Sequence, residues 1–373
     1  MFWASTALLA ATVAGSVTTV HLHRLRPEPL DGRRGMERVL LTATLALALV
    51  SALVALPAIL LLGAPLGVWG AVLLMPGTVL GFYARALAVS RGELGWALGV
   101  SLAVFLAVTL GLLAGAALGS PSTANEVLVL NGLAQGLAGG AVLMRLSAGN
   151  GPDLGRGART RWMALLRRSL WPLAGGLAAE TSSRLYVFLV AFWAGPVAMA
   201  ALAAAQTLLR PATLLAGAWA AAARSALATR RHAGDQRGFR RIVLVGASAP
   251  AVATLVLGGG LALFWPFVSR WAFGGRYPDQ ADTVLLWTLN MAIACFVFAY
   301  GVALQALGRL RAAARADMAS AVTIAISMPL LLWFLPPAGA LGAMMLGGLV
   351  QVVLQRRAMR GSLAVAERKS RAG

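Results

Sequence analysis

Charged and amide side chains recur four residues apart inside two neighbouring apolar segments of this chain. Glu180 and Arg184 have this spacing in the first segment, and Gln206 and Arg210 have it in the second. Residues four apart share one face of a helix, so each pair is expected to act at one place. The planar guanidinium group of arginine offers a fork of donors that matches phosphate oxygens. The pattern predicts a cationic patch that binds an anion, with phosphate favoured.

Two interpretations of the Glu180–Arg184 pair stay open. The two side chains either neutralise one another and fasten helices together, or Arg184 binds a ligand while Glu180 tunes it or carries a coupling proton. Arg210 has no acidic residue one turn away in its own segment, which favours a mobile anion as its partner. Counted from Leu170 at about 1.5 Å per residue, Glu180 and Arg184 lie at depths of about 15 and about 21 Å, near the middle of a bilayer.

Amide side chains extend the candidate binding site to other segments. Asn131 and Gln135 repeat the four-residue spacing, and Asn290 is a single amide in a later apolar segment. Polar groups inside a bilayer are costly and usually face a bundle interior or a water-filled cavity. The candidate substrate-binding residues are therefore Arg184, Arg210, Gln206, Glu180, Asn131, Gln135 and Asn290.

Few residues of the chain are suited to nucleotide, metal or disulfide chemistry. The only lysine is Lys369, in the tail, whereas a P-loop needs a lysine at the β- and γ-phosphates. Cys295 is the one cysteine, which excludes a disulfide framework. The histidines, all in polar segments outside the apolar spans, are His21, His23 and His232. The sequence therefore predicts no catalytic residue, no metal and no cofactor, and it disfavours an enzyme.

The elements that position these residues follow from the composition. The chain has 373 residues, of which 59% are hydrophobic and 12% charged, and its mean hydropathy is +0.79. Soluble domains average about 45–50% apolar and about 25% charged residues, so a single soluble domain is excluded. About 20 apolar residues cross a bilayer as a helix, which satisfies every backbone polar group within its own segment. The chain is predicted to be an all-α polytopic membrane protein.

Eleven apolar segments approach or exceed this length. The predicted spans are Phe2–Val20, Val39–Leu62, Leu66–Val89, Leu94–Leu118, Glu126–Leu146, Leu170–Ala194, Val197–Ala223, Ile242–Phe267, Val284–Leu307, Asp317–Leu335 and Gly339–Gln355. Nearly all of the 32 Lys and Arg residues follow odd-numbered spans, and only Arg270 and Arg276 follow even-numbered ones. Positive loops stay cytoplasmic, so the C-terminus is predicted inside and Met1 outside. The net charge of +20 then reflects topology, and nucleic acid is not expected as a partner.

A short internal similarity indicates two repeated lobes. Tyr83–Arg91 resembles Tyr300–Gly308 at a constant offset of 217 residues, and each segment ends a span at the cytoplasmic side. If these two segments are aligned, spans one to three correspond to spans seven to nine. Leu170–Ala194, the sixth span, then has no counterpart in the first half. Parallel repeats of this kind are common in transporters. The predicted plan is five plus six helices in two lobes around a central cavity, where the first helix of a six-plus-six plan is missing through a start-codon error or a true truncation.

Other features of the sequence predict local structure. The expected boundaries are a five-helix lobe at 1–147, a cytoplasmic linker at 148–168, a six-helix lobe at 169–360 and a basic cytoplasmic tail at 361–373. Arg159–Arg168 is either a basic amphipathic helix in the membrane interface or a solvated helix start. Arg85 is expected to extend toward the cytoplasm, and Asp317 to form a local ion pair or a helix-end charge. Small-residue spacings predict close helix contacts at Gly95/Gly99, Gly111/Gly115 and Gly132/Gly136/Gly140.

The second half of the chain carries short motifs at characteristic distances. They are Gly195-Pro196-Val197 to Arg210-Pro211, His232-Ala233-Gly234-Asp235, Phe273-Gly274-Gly275-Arg276-Tyr277 and Leu304-Gln305-Ala306-Leu307-Gly308-Arg309. With these motifs the chain resembles the polysaccharide (O-antigen-type) flippases of the multidrug/oligosaccharidyl-lipid/polysaccharide exporter superfamily. The resemblance covers Leu170–Arg360 well and Phe2–Leu146 more loosely.

This resemblance implies two six-helix lobes that flank a central cavity and move lipid-linked saccharides from the inner to the outer leaflet of the bacterial cytoplasmic membrane. It also implies that basic cavity residues, here Arg184 and Arg210, meet the pyrophosphate of the lipid. The sequence departs from the family pattern because the first helix is missing.

The predicted function is therefore alternating-access translocation of a polyprenyl-diphosphate-linked oligosaccharide. Membrane lipids and other glycan-assembly proteins are further candidate partners. Three alternatives stay open: a drug or organic-cation antiporter of the same superfamily, a membrane-bound glycan ligase or polymerase, and a non-transporting scaffold.

Overall fold

The apolar segments of the chain fold as helices, as the cost of unpaired backbone groups in lipid requires. The computed structural model describes residues 2–22, 30–61, 70–117, 123–147 and 155–372, and within these residues there are helices and no strand. The prediction of an all-α fold is confirmed. The helices are α1 (Phe2–Ala14), a π-helical turn (Gly15–Thr19), α2 (Val20–Leu22), α3 (Leu30–Leu61), α4 (Gly70–Arg91), α5 (Leu94–Ala117), α6 (Ala124–Leu146), α7 (Arg156–Trp193), α8 (Gly195–Leu208), α9 (Arg210–His232), α10 (Gln236–Leu263), α11 (Trp265–Phe273), α12 (Ala281–Ala306), α13 (Leu310–Phe334) and α14 (Ala338–Ala372).

Eight helices of the described chain are long and apolar enough to cross a membrane, and a bent pair of helices could supply a ninth span. They are α3 to α6, α10 and α12 to α14, which correspond to predicted spans two to five and eight to eleven. The predicted number of eleven is not reached among these residues. In the first predicted span the apolar helix of Leu9–Thr19 is short. The sixth lies within α7, where the polar run from Glu180 to Arg184 interrupts the apolar sequence.

The seventh predicted span, Val197–Ala223, is wrong as a continuous helix. The chain breaks at Leu209, and α8 and α9 meet there at an angle of 49°. Pro211 stands in the first turn of α9, a position that proline favours because its missing N–H is not needed there. Leu209 itself is fully buried, so the break is packed into the protein. Gln206 and Arg210 therefore lie on opposite sides of a bend rather than on one helix face.

Two compact units divide the chain, Met1–Leu173 and Ala174–Gly373, and the boundary falls within α7. In the first unit α4 packs against α1, α3, α5 and α6, and in the second unit α12 packs against α9, α10, α13 and α14. In the predicted repeat, α1, α3, α5 and α6 are the counterparts of α9, α10, α13 and α14, in that order. Tyr83 on α4 and Tyr300 on α12, the residues that revealed the repeat, are both buried.

The end of the predicted linker is part of the first unit. Its residues 148–154 lie outside the described residues, and residues 156–168 form the start of α7. Leu165 on α7 packs into a core cluster with Leu22 and Leu87, so this part of the helix is not simply solvated. His21, expected in a polar segment, is instead buried and lies 2.8 Å from the Ser169 hydroxyl.

Glycines bring α4 and α6 into backbone contact. A Cβ atom on Gly132 would lie 2.6 Å from the backbone of Leu73 and Leu74, and one on Gly139 would lie 2.9 Å from Gly81. The close contact predicted at Gly132 is therefore confirmed. The contact predicted at Gly140 is wrong, since a Cβ there would meet nothing within 4 Å. The same holds for Gly95 and Gly99 on α5, because four-residue spacing marks a helix face without showing what packs on it.

The turn between α9 and α10 is held by a carboxylate cap. The Gly238 N–H donates to Asp235 Oδ1 over 2.8 Å, and an Arg230 guanidinium N–H donates to Asp235 Oδ2 over 2.6 Å. These two donors, the backbone N–H first, lower the pKa of the Asp235 carboxyl below its ordinary value.

Acidification is expected to loosen this turn. A carboxyl with a lowered pKa in the folded state stabilises the fold above its unfolded pKa, and this stabilisation is lost as the pH falls through the folded pKa. Amide hydrogen exchange at Gly238, corrected for the intrinsic rate, should therefore accelerate on acidification. In Asp235→Asn, which keeps a capping oxygen but cannot titrate, this dependence should vanish. Equal pH dependence in both proteins would contradict the expectation.

Candidate functional site

Glu180 and Arg184 form the ion pair that their spacing predicts. The Arg184 guanidinium donates to Glu180 Oε1 over 2.9 Å from one terminal nitrogen and over 3.2 Å from Nε. The two side chains keep 32% (Arg184) and 21% (Glu180) of their surface exposed. Arg184 is therefore partly neutralised, and about a third of its side-chain surface remains exposed.

Tyr186 links this pair to the break between α8 and α9. Its hydroxyl donates to Gln206 Oε1 over 3.0 Å, and the guanidinium groups of Arg184 and Arg210 both lie near enough to interact electrostatically with it. Arg210 is the first residue of α9 and is exposed. Glu180, Arg184, Tyr186, Gln206 and Arg210 thus form one group within the second unit, here named the arginine cluster.

Aromatic packing fixes the arginine cluster to the core of its unit. The Tyr186 ring meets the Trp287 ring edge to face, with centroids 5.6 Å apart and planes at 77°. Trp287 is fully buried, and its indole N–H donates to the Leu202 carbonyl of α8 over 3.1 Å. Tyr186 and Trp287 belong to a core cluster that also contains Leu209, at the helix break. The break and the cluster are therefore held by the same packing.

The amides Asn131 and Gln135 form a separate group, within the first unit. Gln135 Nε2 donates to Asn131 Oδ1 over 3.0 Å and lies 3.4 Å from the Thr78 hydroxyl of α4. Arg85 donates to Gln135 Oε1 over 3.4 Å, so the expectation that Arg85 extends toward the cytoplasm is wrong. The close approach of Gly81 to Gln135 leaves room for this amide. Of the four polar side chains in this group, only Arg85 is charged, so the group carries one positive charge.

Comparison with known proteins identifies the fold of the chain. No protein-family model matches the sequence, and no curated protein matches it significantly. Solved structures match over nearly the whole chain. A point mutant of a MATE protein has a TM-score of 0.79 at 13% identity, over 98% of this chain and 87% of its own. An outward-facing multidrug resistance MATE family transporter of the MOP superfamily has a TM-score of 0.77 at 14% identity, over 98% and 86%. This chain has the MATE fold.

A third match has the same MATE fold and a different pocket. It is a MOP superfamily transporter from Pyrococcus furiosus, described as having a binding pocket whose reverse polarity suggests a different function. Its TM-score is 0.75 at 15% identity, over 98% of this chain and 86% of its own. The fold is the two-lobed helical architecture that the predicted resemblance implies. At this identity it does not distinguish a flippase from a drug exporter.

Two other polar residues of this chain, Asn290 and Asp317, lie outside the arginine cluster. Asn290 is 8% exposed in α12, so packing within the second unit encloses it. Asp317 accepts a hydrogen bond from Gln351 of α14 over 2.6 Å, and α7 passes close to it at Gly175. The expectation of a helix-end charge at Asp317 is wrong, because its carboxylate faces an amide between three helices.

Sequence reasoning missed Tyr186, although the chain contains a usable signal. Tyr186 is one of four tyrosines and stands two residues after Arg184 in an otherwise apolar stretch. A buried tyrosine usually finds a partner for its hydroxyl, which would have marked it as part of the site. Among the described residues no group of three His, Cys, Asp or Glu side chains could hold a metal ion.

Proposed function

We propose that this protein is a membrane transporter that moves a polyprenyl-diphosphate-linked oligosaccharide from the inner to the outer leaflet of the bacterial cytoplasmic membrane. The observation that carries the proposal is the arginine cluster, which contains two arginines and one carboxylate. Its formal charge is positive, and it stands where a membrane helix is interrupted. A diphosphate head group complements both properties.

The interruption between α8 and α9 supports an anion as ligand. Discontinuous helices in transporters commonly border the binding site, with helix N-termini facing anionic groups of the substrate. The N-terminus of α9 adds the partial positive charge of the helix dipole to that of Arg210. Arg210 also offers the fork of donors that binds phosphate oxygens in pairs. In this proposal, Arg210 is the principal diphosphate ligand, and Arg184 assists while Glu180 tunes it.

The proposed mechanism is alternating access, in which the arginine cluster is exposed first to the cytoplasm and then to the outside. The sugar head stays in a polar cavity and the polyprenyl tail stays in lipid. Arginine is concentrated in the segments that follow odd-numbered predicted spans. This distribution predicts a cytoplasmic C-terminus and an external Met1. Either an ion gradient or consumption of the product outside drives the cycle.

A drug or organic-cation antiporter is the second candidate, and the structural neighbours favour it, since two of those described above are a MATE mutant and a multidrug resistance MATE transporter. A cationic substrate would require more acid than base at the site, whereas the arginine cluster has the opposite balance. The Pyrococcus furiosus transporter, with its reverse-polarity pocket, supports the view that this fold accommodates either kind of pocket.

Leaflet-resolved measurement of lipid-linked saccharide in a deletion strain separates the candidates. Loss of a flippase should trap the saccharide on the inner leaflet, and re-expression of the wild-type chain should release it. Loss of a glycan ligase or polymerase would strand the saccharide on the outer leaflet instead. An unchanged distribution together with new sensitivity to cationic drugs would replace the proposal with the antiporter. A scaffold is indicated if the arginine-cluster variants restore release as well as wild type does.

A further inference from the structure

The hydrogen bond between Tyr186 and Gln206 has a direction that matters for the ligand. The Tyr186 oxygen lies in the field of two guanidinium groups, those of Arg184 and Arg210. Positive charge attracts the oxygen lone pairs and repels the hydroxyl proton, which favours a hydroxyl that donates to an acceptor. The Tyr186 hydroxyl donates to Gln206 Oε1, 3.0 Å away.

This bond decides which end of the Gln206 amide remains available. A glutamine side chain has one acceptor oxygen and an NH2 group with two donors. With its oxygen engaged by Tyr186, Gln206 offers donors to whatever binds beside Arg210. The arginine cluster then contains three side chains that carry N–H donors, those of Arg184, Gln206 and Arg210. Such a set suits the oxygens of a phosphate and repels a cation.

Helix α8, which carries Gln206, is tied to its unit at two points one turn apart. Trp287 donates to the carbonyl of Leu202, and Tyr186 donates to the side chain of Gln206. The two aromatic rings also pack on one another edge to face. Tyr186 is 5% exposed and Trp287 is fully buried, so the second unit holds both rings in place.

We propose that Tyr186 is a positioning residue that sets the polarity of the arginine cluster by orienting Gln206 with its NH2 group toward the ligand. The site thereby selects phosphate-bearing anions over organic cations. This inference rests on the proposed function and adds its determinant of specificity. Tyr186 itself touches no substrate. Its removal frees Gln206 to present a carbonyl oxygen, which would repel a phosphate and attract a cation.

The test measures binding of two probes, inorganic pyrophosphate and tetraphenylphosphonium, to the purified full chain by titration calorimetry. Tyr186→Phe is expected to weaken pyrophosphate binding on the order of tenfold, and to leave tetraphenylphosphonium binding unchanged or stronger. A purely structural defect would weaken both. Tyr277→Phe, which removes a hydroxyl of the same unit outside the cluster, should change neither.

A second background separates positioning from direct contact. If Tyr186 acts through Gln206, Tyr186→Phe should have no further effect on pyrophosphate binding in Gln206→Met, and Gln206→Met alone should weaken it. Unchanged pyrophosphate affinity in either single variant overturns the inference, as does an equal loss from Tyr186→Phe in both backgrounds. Absence of pyrophosphate binding to the wild-type chain would instead refute the proposed anion site on which the inference depends.

Discussion

Replacement of Arg210 by alanine is expected to abolish most outward movement of lipid-linked oligosaccharide while leaving membrane insertion intact. The substitution removes the cation at the start of α9 together with its fork of donors. Hydrogen bonds to charged groups are worth about 1.5–3 kcal/mol, so pyrophosphate binding should weaken about 10- to 100-fold. Arg210 is exposed, and its loss leaves no cavity in the core, so the fold should survive.

Two matched variants make this experiment specific. Arg210→Lys keeps the positive charge but loses the planar fork, and an intermediate affinity is expected. Arg270→Ala removes an exposed arginine from α11 in the same unit and should behave as wild type. Transport is measured in proteoliposomes and binding on the purified chain, each normalised to the amount of inserted protein.

Arg184→Ala is expected to impair transport as well, for an additional reason. It removes both a donor and the salt-bridge partner of Glu180, so the cluster keeps a carboxylate without that partner. The double variant of Arg184 and Arg210 should be inactive. Wild-type glycan output from that double variant would refute the anion site altogether, whatever the single variants do.

Local spacing predicted those features of the site that lie within one helix. The contact of Glu180 with Arg184 and that of Asn131 with Gln135 both follow from positions four apart. The link from Tyr186 to Gln206 joins residues 20 apart on two different helices. It depends on how α7 packs against α8, which no periodicity encodes.

The fold shows the same division between local and tertiary information. Apolar length predicted eight of the spans, because a bilayer imposes one length on every crossing helix. It failed at Leu209, after which a new helix begins at Arg210 with Pro211 in its first turn. The proline was visible in the sequence, but proline also occurs within α4 and α10 without a break. The difference lies in packing around each residue, and sequence alone does not give it.

The close approach of α4 and α6 yields a prediction with a large expected effect on stability. A Cβ atom on Gly77 would overlap the backbone carbonyl of Gly132. The obstacle is backbone of a packed helix rather than the end of a flexible side chain, so relief requires the two helices to separate. Overpacking of this kind costs about 1–3 kcal/mol, and separation would also disturb the hydrogen bonds of Gln135 to Thr78 and Arg85.

Gly140→Ala is the matched control for Gly77→Ala, since it lies on α6 and a Cβ there meets nothing within 4 Å. Alanine is favoured over glycine within a helix by about 0.5–1 kcal/mol, so this control should unfold at or above the wild-type temperature. Gly77→Ala should unfold below it, because the same gain in helix propensity is smaller than the cost of overlap. The midpoint of thermal unfolding in detergent measures both. If the two variants unfold at the same temperature, α4 and α6 are not in backbone contact in the folded protein. The hydrogen bonds of Gln135 to Thr78 and Arg85, which depend on that contact, would then also be in doubt.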